Sequence, residues 1–198
     1  MNNIEKDDSV REQILLAASE VFLKWGIKKT TMEDIARAAG KGKSTLYYYF
    51  KNKEEIFEAG GKREIDYMLS LAITEMEKVN TAVEKFEVYI RTGFQFMKKK
   101  IGFYSVMMNE ISEDNKIIKG VLEYIAKNES RILHTILEFG AKRKEFKFSG
   151  EDEIRKTIHV LMLAIRGVEL ELLQAKHPNQ LDSHMEILTK ILLSGIKA

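Results

Sequence analysis

The chain has 198 residues, no cysteine and one proline, which excludes disulfides, thiolate zinc sites and cysteine nucleophiles. Charged residues make up 31% and apolar ones 44%, a globular balance, and the net charge is only +2. The longest uncharged run in the C-terminal half, residues 157–165, falls far short of the ~20 residues that span a bilayer. The polar, acidic start MNNIEKDD is no secretory signal, so a soluble cytoplasmic protein without a membrane partner is expected. Scarce proline favours long helices over sandwiches or barrels.

Residues 1–8 read as a frayed arm. Ser9 and Glu12 have the spacing of a capping box, and Ile14, Ala18, Val21, Phe22 and Trp25 then recur at helical spacing. Gly26 reads as the stop of that helix. Thr30-Thr31-Met32-Glu33 offers a second capping box for a short helix carrying Ile35, Ala36 and Ala39 inward and ending at Gly40. A third short helix starts at Gly42 or Lys43 and pairs Leu46 with Phe50. Asn52 caps a fourth, with Ile56 and Phe57. Beyond it, helical patterns cover roughly 64–78, 81–100, 103–111, 115–141, 151–176 and 181–196. Breaks fall at Gly102, at residues 112–115, at 142–150 and at 177–179, where the single proline, Pro178, sits. The alternating run Glu145 to Phe148 is too short for an independent strand.

Two short helices joined by a turn with Gly40 and Gly42 have the size of a helix-turn-helix. The second, KSTLYYYF, buries only Leu46 and Phe50. Its three adjacent tyrosines spread over ~200° of helix and cannot all face one core. Hydroxyls and an ammonium at its start suit phosphates and base edges. Residues 24–53 carry eight basic and two acidic side chains, a local excess of +6 that leaves −4 for the rest. Such a patch is the electrostatic footprint of nucleic-acid binding.

The segment TTMEDIARAAGKGKSTLYYYFKNKEEIF resembles the DNA-binding signature of the TetR/AcrR (tetracycline-repressor) family of bacterial transcriptional regulators, whose usual form is close to TTMxDIAxxAGVSxGTLYxHFxxKExL. The preceding VFLKWG is similar too. The resemblance implies an all-α chain of about nine helices. A three-helix DNA-binding domain over 1–54 would lead, through a connecting helix over 53–78, into a ligand-binding and dimerisation domain over 55–198. It implies a double-stranded DNA operator, a homodimer, and a small-molecule ligand whose identity is open. It implies no cofactor, metal or enzyme activity. Carried over by position, Thr31 would touch phosphate, Lys43, Ser44 and Tyr48 would face bases, and Thr45, Tyr47, Tyr49 and Lys53 would clamp the backbone. Lys41, Gly42 and Tyr49 depart from the usual apolar residue, serine and histidine. Lys41 can cover the same apolar surface with its stem while its ammonium reaches DNA.

In the C-terminal half Ile154, Ile158, Leu161, Ile165, Val168 and Leu172 follow one helical stripe, and Leu181, Met185, Leu188, Ile191 and Leu192 another. Such faces need cover from the chain's own core or from a second chain. The resemblance favours a symmetric four-helix dimer contact through Ile154, Ile158, Leu161, Ile165, Leu172, Leu181, Met185, Leu188 and Leu192. Phe94, Met97, Phe103, Tyr104, Met107, Met108, Tyr124 and His134 suit either an adaptable apolar ligand cavity or an ordinary core. Arg166 and Glu169, three residues apart, form a pair or meet a cationic ligand. His134 and His159 lack a second ligand at helical spacing, so no metal site is expected. Gly60-Gly61 is expected to soften or interrupt the connecting helix. The rival readings are a DNA-binding architectural protein without an inducer and an all-helical enzyme. The latter has no nucleophile–base pair, metal cluster or phosphate loop to support it.

Overall fold

The computed structural model describes residues 3–109, 116–174 and 181–197. Among the described residues there are nine helices: α1 (Asn3–Lys29), α2 (Met32–Ala38), α3 (Lys43–Tyr49), α4 (Lys53–Met76), α5 (Ala82–Lys99), α6 (Ile101–Asn109), α7 (Lys116–Lys142), α8 (Glu151–Gln174) and α9 (Leu181–Ile196). Most bounds fall within two residues of those expected from periodicity. No described helix is long and apolar enough to cross a membrane. Pro178 and the breaks expected at 112–115 and 177–179 lie outside the described residues.

Several local expectations change. The first helix begins at Asn3, so Ser9 and Glu12 sit inside it rather than at its cap. Gly26 does mark a kink, with φ 74° and ψ 168°, but helix resumes to Lys29. Trp25 leaves the buried stripe and stands exposed, with the Lys24 ammonium 5.1 Å from its ring centre. The capping box of α2 is shifted by one residue. Thr31 and Asp34 make the reciprocal bonds, while Thr30 is buried and its hydroxyl donates to the Gly26 carbonyl at 2.7 Å. Thr81 and Glu84 make a second box at the start of α5.

Gly60 and Gly61 do not interrupt α4, which runs through them without a break. Two interior glycines cost roughly 1–2 kcal/mol together. The same helix buries Ile56, Phe57, Ile65 and Met68, each contributing roughly 1.5–3 kcal/mol, so burial wins.

The chain divides into two compact units. The first joins Met1–Ile65 with Gly102–Glu123, and the second joins Asp66–Ile101 with Tyr124–Ala198. In the first, Ile14, Phe22, Ile35, Leu46, Ile56 and Phe57 form a continuous core, with the Phe22 and Phe57 rings edge to face at 5.5 Å. In the second, Phe86, Leu133, Leu137, Phe146, Leu161 and Leu172 are buried together with the inner face of α5.

The run Glu145 to Phe148 makes one antiparallel bridge, Phe146 to Lys197, with the Lys147 amide donating to the Ile196 carbonyl at 2.9 Å. Phe146 thereby packs against Gly140. A Cβ at Gly140 would run into the Phe146 ring edge and lie 2.8 Å from the Ala82 Cβ, inside contact distance on both sides. Gly140→Ala should therefore lower stability by about 1–3 kcal/mol through overpacking, read as a lower urea midpoint with an unchanged slope.

Candidate nucleic-acid interface

The tight turn between α2 and α3 is built by two glycines with different tasks. Gly40 takes φ +62°, a left-handed conformation that β-carbons disfavour, and the Lys41 amide reaches back to the Ala36 carbonyl at 3.0 Å. Gly42 is the N-cap of α3 in extended conformation and supplies no side-chain cap. No side chain therefore caps the first amides of α3, and the Thr45 amide donates to the Gly42 carbonyl at 3.0 Å. Leu46 is fully buried and Phe50 nearly so, and these two side chains seat α3 on the core. The opposite side faces outward. Tyr48 is 76% exposed and Tyr47 48% exposed, while Tyr49 and Thr45 are half-buried and Lys43 and Ser44 are exposed. An aromatic side chain as exposed as Tyr48 offers a ring and a hydroxyl to a partner.

The sequence could not show how these groups are held. The Lys43 ammonium pairs with Glu33 of α2 and lies 5.8 Å from the Tyr47 ring centre. The hydrogen bond from Lys43 holds the Glu33 carboxyl below the usual carboxylate range, and Glu33 in turn raises the Lys43 pKa. The Tyr49 hydroxyl donates to Asp7 of α1 at 2.5 Å, which pushes its pKa up to about 12. The Tyr48 and Tyr49 rings meet edge to face at 4.9 Å. Glu33 and Asp7 are thus partners of the reading surface that sequence spacing missed, because they lie 10 and 42 residues from the groups they hold. Thr31 is exposed at the N-cap of α2, where its hydroxyl is shared with Asp34. Lys41 is half-buried in the turn.

Lys53 differs from its expected use. Its ammonium donates to the Lys28 carbonyl at 3.0 Å and the Thr30 carbonyl at 2.8 Å, so it ties the end of α1 to the start of α4. Loss of two such bonds from a charged donor should cost about 1–3 kcal/mol. Lys53→Met is expected to lower the melting temperature, whereas a pure phosphate contact would lower DNA affinity and leave melting unchanged.

The residues expected to line a ligand cavity divide between the two compact units. Phe94 and Met97 are buried on α5, and Tyr104 is buried on α6 in the first unit. The Tyr124 hydroxyl donates to Asp66 at 2.6 Å. His134 is half-exposed, with its Nε2 2.8 Å from Glu151. The side chains of Phe103, Met107 and Met108 lie outside the described residues. Arg166 and Glu169 do pair, at 2.7 Å, and a third member joins them from α7. Glu129 accepts from the other guanidinium nitrogen at 2.5 Å. Burial pushes the Glu129 carboxyl up to about 7, against the pull of Arg166 and with the push of Glu169, and burial raises Glu169 as well. Tyr89 of α5 is buried beside them.

Part of the expected dimer stripe faces the chain's own core. Ile154, Ile158, Leu161 and Leu172 are buried in the chain's own core, as is Met185, and Ile165, Leu188 and Leu192 are half-buried. The side chain of Leu181 lies outside the described residues. Periodicity identified an inward stripe and could not say which core it met. A different face is uncovered. Val160 and Leu163 of α8 and Ile191 of α9 are each 60% exposed, and Leu170 and Ile187 are exposed too. Gly167 and Gly195 lie on the same sides of these helices with open space where a Cβ would be.

An exposed, aromatic and basic helix set by a glycine turn on a three-helix core defines a helix-turn-helix, DNA-binding transcriptional regulator. Residues 14–59 match the family model described as "Bacterial regulatory proteins, tetR family". The chain is 29% identical over 135 residues to the "Fatty acid metabolism regulator protein" of Bacillus subtilis (strain 168), covering 68% of this chain and 70% of that one. It is 24% identical over 123 residues to the biofilm operon icaADBC negative transcriptional regulator IcaR of Staphylococcus aureus (strain Newman), covering 62% and 66%. It shares its fold with FadR from Bacillus subtilis, solved in complex with stearoyl-CoA, at TM-score 0.79 and 23% identity over 93% of this chain and 98% of that one. Residues 14–59 therefore carry the DNA-binding domain of the tetR-family regulators, and the chain is a transcriptional regulator rather than an enzyme.

Proposed function

We propose that the chain represses transcription as a homodimer on a near-palindromic double-stranded operator, and that a lipophilic small molecule held by its C-terminal helices releases it. The observation that carries the DNA half is the outward face of α3, where Tyr48 is 76% exposed beside Lys43 and Ser44. Lys43, Ser44 and Tyr48 would meet base edges in the major groove, and Tyr47 the backbone beside them. Thr31, Lys41 and Thr45 would meet phosphate at its rim. The neighbouring IcaR is named a negative regulator, which supports the sign of the effect.

The second copy is supported by the uncovered apolar face of α8 and α9. Two such faces pack as a four-helix contact, and Gly167 and Gly195 admit close approach of backbones. A two-fold protein reads half-sites about one DNA turn or more apart. The lipophilic ligand is supported by the printed names of two Bacillus subtilis matches, a fatty acid metabolism regulator and a FadR solved in complex with stearoyl-CoA.

A gel shift with the DNA upstream of the chain's own gene tests this reading. Binding should be specific and steeply salt-dependent. Lys43→Ala should cost about 1–3 kcal/mol on that site and relax its discrimination against mismatched sites. Equal binding to unrelated DNA would overturn it.

A further inference from the structure

The second unit carries a basic groove that DNA binding does not use. It lies between α7 and α8 as an open surface groove of about 650 Å³. Lys127, Arg131 and His134 line it from α7, and Arg155 and His159 from α8; Ser130 supplies a hydroxyl. Glu151 is its single acid. That carboxylate is already engaged, 2.8 Å from His134 Nε2 and 3.9 Å from Arg155 Nε. Among the described residues Lys127 and Arg131 form no ion pair, so the groove holds a net positive charge with donors to spare. It differs from an ordinary solvated helix surface in its sorting. Lys127, Ser130, Arg131 and His134 fall within ~100° of one side of α7, and the facing side of α8 adds one further guanidinium. The groove side of α8, centred on Arg155 and Met162, is turned by ~120° from the Val160 and Leu163 face.

We propose that this groove binds the phosphorylated end of an anionic effector. The inference rests on the reading that a small ligand docks on the C-terminal helices. Phosphate oxygens suit it because guanidinium groups bind them in pairs of hydrogen bonds, and because Lys127 adds an unpaired point charge. A carboxylate alone would use only part of this donor set.

The test is calorimetric titration of the full-length protein with inorganic pyrophosphate, with coenzyme A and with palmitate. Both phosphate probes should bind, and tighter binding of coenzyme A would assign the site to an organic phosphate rather than to a free one. The double variant Arg131→Ala/Arg155→Ala should bind both probes roughly tenfold more weakly or worse, with palmitate unaffected. Glu151→Gln should tighten both, a gain that loss of structure cannot mimic. Amide shifts on adding pyrophosphate should gather at 127–135 and 151–162. Absence of binding, unchanged binding in both variants, or shifts gathered at 28–53 would overturn the proposal. Operator binding, measured in parallel by gel shift, stands or falls separately.

Discussion

A variant carrying Leu163→Asp and Ile191→Asp is expected to run as a folded monomer and to lose at least ~100-fold in operator affinity. Both side chains are 60% exposed in the single chain, so neither substitution disturbs its core. In a dimer both would be buried, each placing a carboxylate where no partner cation stands, at a cost of several kcal/mol. A monomer keeps one reading head. It forfeits the effective concentration that makes the second half-site an intramolecular contact, typically worth 10²–10⁴ in avidity. Light scattering coupled to size exclusion would read the mass and a gel shift the affinity. Ile158→Asp is the contrast. Ile158 is 3% exposed, so that variant should lose its fold outright. If Leu163→Asp/Ile191→Asp stayed dimeric, the uncovered face of α8 and α9 would not be the contact.

The second large effect is expected at Arg166. Its guanidinium spans Glu129 and Glu169, whose side chains are 12% and 15% exposed. Arg166→Met leaves two carboxylates without a counter-ion. Breaking a buried pair costs ~3–5 kcal/mol, and the lower end applies because the Arg166 side chain is 36% exposed. The same tension should appear in the pH dependence of the wild type. Burial lifts Glu129 from the ordinary 4.5 to about 7, so between those values the folded state holds more protons than the unfolded one. Stability therefore falls as pH rises through that window and levels off above it. Glu169, also raised by burial, acts in the same sense. Glu129→Gln keeps an acceptor for Arg166 and removes the charge, so it should flatten that fall and leave the protein more stable than wild type at pH 8. Urea midpoints at pH 5, 6, 7 and 8 would check the slope. A wild-type stability that rises across the window would contradict it.

The sequence carried what local physics decides. The 3.6-residue period located the long helices, and the glycines placed the α2–α3 turn within a residue. The pairing of Leu46 with Phe50 implied that at least one α3 tyrosine must turn outward. What it could not carry were contacts between distant segments. Nothing near Lys53 indicates that its ammonium will find carbonyls of residues 28 and 30. Nothing near Arg166 indicates a second carboxylate 37 residues earlier. The apolar stripe of α8 was legible, but a helix apolar on two sides does not declare which side its own chain covers. Only the exposures of Ile158 and Val160, 3% against 60%, separate the two. The α2 cap moved by one residue because two threonines in succession offer the same hydroxyl, and burial of Thr30 decided between them.

Trp25 is the only tryptophan of the chain and stands exposed near the kink at Gly26, in the first compact unit. Excited at the red edge, where tyrosine absorbs little, the protein reports from that unit alone. Far-ultraviolet circular dichroism, by contrast, weighs all nine described helices together. The two signals are therefore separate witnesses to unfolding. Coincident curves would make the chain one cooperative block, and divergent ones would give the head a stability of its own.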